Sequence, residues 1–102
     1  MSFQRICALE ELSIDQGKEF LLEGKILAVF RSTDAQVFAI DGMCAHQGGP
    51  IAQGQVSGKC VTCPWHGWQY DISSGTNLLT QKKMLACFPT EVRDGSVWVD
   101  AS

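Results

Sequence analysis

The sequence predicts an all-β fold: a small antiparallel sandwich or barrel with a loop-rich segment inserted into it. Three observations predict this. Short alternating apolar runs separated by turn residues fill both ends of the chain. An Asp94-Gly95 pair separates two such runs near the C-terminus. Seven of the ten glycines, two of the three prolines and both histidines crowd into residues 42–75. A chain of 102 residues is a single domain by length.

The first strands are read from short apolar runs bounded by turn residues. Glu19–Leu22 runs into a turn at Glu23-Gly24, Ile26–Phe30 follows, and after a polar break at Ser32-Thr33-Asp34 the run Gln36–Ile40 alternates and stops at Asp41-Gly42. These form a meander. Glu10-Glu11-Leu12 reads as a single helical turn. At the other end Thr90–Arg93 and Ser96–Val99 flank Asp94-Gly95, a two-residue loop whose side chains tolerate the positive φ angles of a tight hairpin. Trp98 alternates with Val97 and Val99 and reads as structural. Between the two sets of strands, residues 43–84 form the expected insert.

Charge divides the same way. The net charge is −3, with eleven acids and eight bases, and residues 43–84 hold one acid, Asp71, against three lysines. An acidic chain of this kind carries no nucleic-acid footprint. No apolar run approaches the ~18 residues of a membrane span. The opening Met1-Ser2-Phe3-Gln4-Arg5-Ile6 lacks an apolar signal segment. Location in the reducing cytoplasm, away from membranes, is therefore expected. An odd count of five cysteines then argues for metal chemistry over a disulfide framework.

Each histidine stands within three residues of a cysteine. The insert reads Cys44-Ala45-His46-Gln47-Gly48-Gly49-Pro50 and later Cys63-Pro64-Trp65-His66-Gly67-Trp68, with sixteen residues between His46 and Cys63. Two short loops facing each other would each offer one sulfur and one nitrogen. Such a set suits zinc or an iron–sulfur centre. Zinc ribbons and fingers begin with C-x2-4-C and end with H-x3-5-H, an order this chain does not follow. Ordinary buried cysteines beside stray histidines are the remaining alternative. Rieske centres replace two cysteines by two histidines on one iron.

The two loops resemble the Rieske cluster-binding motif, and Cys-Pro-Trp-His-Gly-Trp resembles the second loop of Rieske ferredoxins and oxygenase Rieske domains. The resemblance implies one 2Fe-2S cluster, with Cys44 and Cys63 on one iron and His46 and His66 on the other. It departs from the respiratory cytochrome bc branch. Gly49 and Trp65 occupy the positions of that branch's loop disulfide, and Trp68 occupies the position of a serine that bonds cluster sulfur. Tyr70 matches a tyrosine that bonds a ligand cysteine. Two thiolates instead of four leave a less negative core, which accepts an electron more readily; Rieske potentials lie at ~−150 to +300 mV against ~−400 mV for plant-type ferredoxins. Without the serine hydroxyl the low end is expected.

The resemblance further implies a one-electron carrier between a flavin-dependent ferredoxin reductase and a terminal oxygenase or reductase, with no substrate site of its own. Both histidines serve as ligands, and none remains for the second, mononuclear iron of an oxygenase. The alternatives are a small subunit held permanently in a larger reductase or oxidase, similar to the nitrite reductase small subunit, and a structural zinc module. Cys60 would be a buried strand residue, and Cys7 and Cys87 core positions. Between Gly42 and Tyr70 the single charged side chain is Lys59. An uncharged electron exit is therefore expected around Gln47, Pro50, Ile51 and Trp65.

Overall fold

The computed structural model describes residues 3–32, 36–44, 48–65 and 67–101. Ten strands form three antiparallel sheets. The central sheet has four: β2 (Gln16–Leu22), β3 (Lys25–Arg31), β4 (Val37–Asp41) and β8 (Cys87–Phe88), in the order β2-β3-β4-β8. A second sheet joins β1 (Gln4–Ala8), β10 (Ser96–Val99) and β9 (Thr90–Arg93). The third contains β5 (Gln55–Ser57), β6 (Cys60–Thr62) and β7 (Gln69–Asp71). The meander, the C-terminal hairpin and the helical turn occur as the sequence predicts, the last as a 3-10 turn at Leu9–Glu11.

Local chemistry explains the turns. Asp94 and Gly95 adopt φ of 49° and 74°, and Glu23 and Gly24 adopt 54° and 74°, the left-handed pair that lets a two-residue loop follow the strand twist. The Glu11 carboxylate accepts the Ala8 N–H at 2.8 Å. The Arg31 guanidinium donates to the carbonyls of Leu9 and Leu12 at 3.2 and 3.0 Å, which ties the 3-10 turn to the central sheet.

Packing is set by β3. Leu27, Ala28, Val29 and Phe30 are all fully buried. Successive side chains point to opposite faces of a strand, so this run requires cover on both sides. Leu27 and Val29 pack with Val37, Ala39, Cys7, Val97 and Val99, under the second sheet. Ala28 and Phe30 pack with Ile40, Ile51, Val61, Tyr70, Ile72 and Leu85, under the segment that leaves at the end of β4 and returns at β8. Cys44 and Cys63 belong to this second core.

Three expectations are corrected. Cys87 is exposed, not a core residue: β8 is a two-residue edge strand, and its cysteine faces outward with Lys83 Nζ at 3.7 Å from the sulfur. Cys60 does lie on a strand, but only half-buried, because β6 turns Val61 and not Cys60 into the core. Ile51 is fully buried, because the 3-10 turn Ile51–Gln53 points it inward. Trp98 is structural as expected: its half-buried ring lies 5.0 Å from the Arg93 guanidinium.

Removing Phe30 should destabilise the fold as a large core cavity does. Phe30→Ala is expected to cost about 3–5 kcal/mol in urea unfolding. Leu21→Gln, at a residue 73% exposed, should change stability by less than about 0.5 kcal/mol.

Candidate metal centre

Cys44 follows the end of β4. Gly42 donates its N–H to Ile26 on β3 at 2.9 Å, and Ile51 donates back to Gly42 at 3.1 Å. Met43 and Pro50 pair across the base of the loop. Buried Ile51 anchors the returning strand of this ladder in the core. Cys63 follows β6 directly, and its loop returns into β7, with Thr62 opposite Gln69.

Both loops close by the same device. The Cys44 N–H donates to the Gly49 carbonyl at 2.8 Å, and the Cys63 N–H donates to the Trp68 carbonyl at 2.7 Å. In each case the partner lies five residues on. The first loop gains a second closure, Gly48 N–H to Cys44 carbonyl at 2.8 Å, for which Gly48 takes φ 71°. His46 and Gln47 of the first loop and His66 of the second lie outside the described residues.

The two loops meet at the cysteines. Cys44 and Cys63 are 4% and 1% exposed, and the two side chains are close enough to influence each other's ionisation. Burial pushes the Cys63 thiol pKa up; the Trp65 backbone N–H, donated to its sulfur, opposes that, and Cys44 raises it further. The fully buried Tyr70 places its hydroxyl 3.2 Å from Cys44 Sγ. A Cβ added at Gly49 would stand 2.9 Å from Cys63 Sγ and 3.1 Å from the Trp65 ring. Glycine is thus what allows the first loop to lie against the second.

This pair suits a thiolate-bound metal. Ionised sulfur is costly in an apolar core unless a cation and hydrogen-bond donors meet it. Tyr70 and the Trp65 N–H supply the donors. Among the described residues neither cysteine forms a disulfide, and no cluster of three or more potential ligands forms. Trp68 packs half-buried against the same core, whereas Trp65 is 48% exposed. Pro50 is half-buried.

Sequence reasoning missed Asn77, which is 2% exposed. Its side-chain oxygen accepts the N–H groups of Leu79 and Thr80 at 2.9 and 3.0 Å, and Leu78 N–H donates to Gln69 on β7 at 2.9 Å. A third loop is thereby held beside the second. The signal available in the sequence was a turn-forming Asn two residues after Gly75.

Comparison with known proteins places this arrangement. The family model described as "Rieske [2Fe-2S] domain" matches residues 2–89. Cholesterol 7-desaturase of Xenopus laevis is 44% identical over 55 residues, 53% of this chain and 12% of that protein. The chain therefore spans about an eighth of the length of that relative. A chain in the complex of reduced oxygenase and oxidised ferredoxin of carbazole 1,9a-dioxygenase is 25% identical with a TM-score of 0.88, over 98% of this chain and 94% of that one. The ferredoxin of carbazole 1,9a-dioxygenase from Nocardioides aromaticivorans IC177 is 21% identical and superposes over 100% of both chains, TM-score 0.91.

Tyr70→Phe should keep the metal centre but lower its midpoint potential, because the hydroxyl stabilises the more electron-rich reduced state. The shift should be tens of millivolts, ~59 mV for each tenfold difference in the hydrogen bond's strength between states. Spectroelectrochemical titration checks it. An unchanged potential would show that the hydroxyl does not bond a ligand sulfur.

Proposed function

This chain belongs to the Rieske [2Fe-2S] domain family, and on that premise we propose that it carries single electrons from a flavin-dependent reductase to a terminal oxygenase or similar acceptor. The observation that carries the reading is the buried Cys44–Cys63 pair, met by Tyr70 and the Trp65 N–H at the contact of two identically closed loops.

The cluster, when bound, supplies a one-electron couple. Cys44 and Cys63 would hold one iron, and His46 and His66 the other. The protein's own contribution is to fix the donors and exclude water. The core around Cys63 keeps solvent from the sulfur ligands, and the loop closures hold their spacing. Tyr70 and the Trp65 N–H direct dipoles at the two sulfurs and would offset the negative charge of the thiolates in a bound cluster. A nearly rigid ligand set of this kind favours electron transfer over bond-making chemistry.

The name of the carbazole dioxygenase ferredoxin, which superposes end to end, supports an oxygenase as the acceptor. Residence in the cytoplasm is part of the same proposal. Among the described residues no helix is long and apolar enough to cross a membrane.

Anaerobically purified protein should be red-brown, with about two irons and two acid-labile sulfides per chain. An EPR signal should appear only after reduction, and a dithionite titration should take up a single electron per cluster. His46→Ala and His66→Ala should each lose the colour, and Cys60→Ala should keep it. A colourless protein with one zinc would end the reading. Elution of the endogenous protein with a large partner at every stage would make it a fixed subunit and not a diffusing carrier.

A further inference from the structure

The third loop is an exposed surface of unusual composition. Residues 78–84 read Leu-Leu-Thr-Gln-Lys-Lys-Met, and every one of them is exposed. Leu79 is 91% exposed, and Leu78 and Met84 are 36% and 39% exposed. Solvent-facing leucines in a row are unexplained by packing, and exposed apolar groups rimmed by polar ones mark contact sites. The loop is nonetheless held firmly. Asn77 caps it, its N–H bonds the Lys82 carbonyl at 2.8 Å, and Gln81 donates back to Asn77 at 2.8 Å. With Gly67, Trp68 and Gln69, Leu78 to Thr80 line an open hollow of ≈ 480 Å³. The loop thus flanks the loop that carries His66.

Along the sequence, the segment that holds this loop carries charge opposite to that of the whole chain, and the Asp41 carboxylate near it is occupied by the Ala86 N–H. Ten of the eleven acids lie in residues 1–41 and 91–102; between them stands only Asp71, against Lys59, Lys82 and Lys83. Asp71 is engaged by the N–H and hydroxyl of Ser73. Among the described residues neither Lys82 nor Lys83 forms an ion pair. A chain of net charge −3 therefore presents two cations and three apolar side chains on one short loop, of which Leu78 and Leu79 share the hollow with Gly67, Trp68 and Gln69.

We propose that this loop docks an electron-transfer protein whose contact face carries carboxylates around an apolar hollow, with Leu79 entering the hollow and Lys82 and Lys83 meeting the carboxylates. The inference rests on the electron-carrier reading and names the chemistry of its partner. A second copy of this chain is an outcome the test below separates, although several of its acids are already engaged. Glu11 meets Lys18, Glu91 meets Arg93, Asp41 accepts the Ala86 N–H, Glu23 meets Gln4, and Asp100 is buried. Contacts of this class are small, under ~1,200 Å², so one loop can supply much of one side. Charge there sets the encounter rate more than the final affinity.

The test uses the cluster-loaded protein and, as probe, an acidic FMN-containing flavodoxin. One electron passes from its reduced flavin to the oxidised cluster, followed by stopped flow. The rate should fall about tenfold as salt rises, although two proteins of like net charge would react faster with salt. The double variant K82E/K83E should be about tenfold slower at low salt and lose that salt response. Leu79→Ser should be about fivefold slower at every salt concentration. In all variants absorbance and midpoint potential should match the wild type. Carbodiimide, which joins lysine to carboxylate directly, should cross-link Lys82 or Lys83 to the flavodoxin. A rate that rises with salt and ignores these variants would overturn the proposal. So would cross-links confined to Lys18 or Lys25, or formed between copies of this chain. A preparation without iron would show itself by colour before the probe is added; that outcome removes the carrier reading, and this proposal with it.

Discussion

Strand β3, inside the central sheet, is buried on both faces, and the rest of the molecule follows from that. Leu27 to Phe30 form one uninterrupted buried run, so β3 requires a layer on each side. Burying side chains of this size stabilises the fold by about 1.5–3 kcal/mol each. One layer is the sheet β1-β10-β9. The other is built by the glycine-rich segment, which therefore folds as part of the core and does not hang from it. Cys44, Cys63 and Tyr70 are members of that core. The sulfur donors are fixed by the same packing that fixes Phe30 and Ile40.

This placement reconciles rigidity with reach. The backbone of each cysteine is tied five residues ahead, to Gly49 and Trp68. Both cysteines and Gly49 are buried, whereas Pro64 and Trp65 face solvent. Donors held by packing and by neighbouring hydrogen bonds give a metal site its orientation. An electron carrier needs its ligands to change little between redox states and its centre to lie near a surface. The buried sulfurs and the exposed loop residues divide those two requirements between them.

Much of this was legible in the sequence because particular residues have few other uses. Asp94-Gly95 and Glu23-Gly24 mark two-residue turns, and the apolar runs on either side of them mark the strands. The paired Cys–His spacing announced the centre, and Tyr70 was correctly singled out as a partner of a cysteine. What failed lacked periodicity. Cys87 sits in a strand of two residues, too short for alternation to assign a face. Ile51 follows a proline in a loop, and only the 3-10 turn decides that it points inward. Asn77 acts through backbone groups of Leu79 and Thr80, a role no side-chain pattern reveals. The positions of His46 and His66 fall outside the described residues, and their assignment as ligands rests on spacing and family resemblance.

That assignment is the central claim, and pulsed EPR of the reduced protein tests it most directly. Protein grown with 15N-histidine should show strong couplings from two histidine nitrogens whose frequencies shift with the isotope. His46→Ala and His66→Ala should each lose the centre and with it the signal. An EPR-active reduced centre with no isotope-sensitive nitrogen coupling would contradict histidine ligation, and would require the remaining ligands to come from Cys60 or another cysteine of this chain.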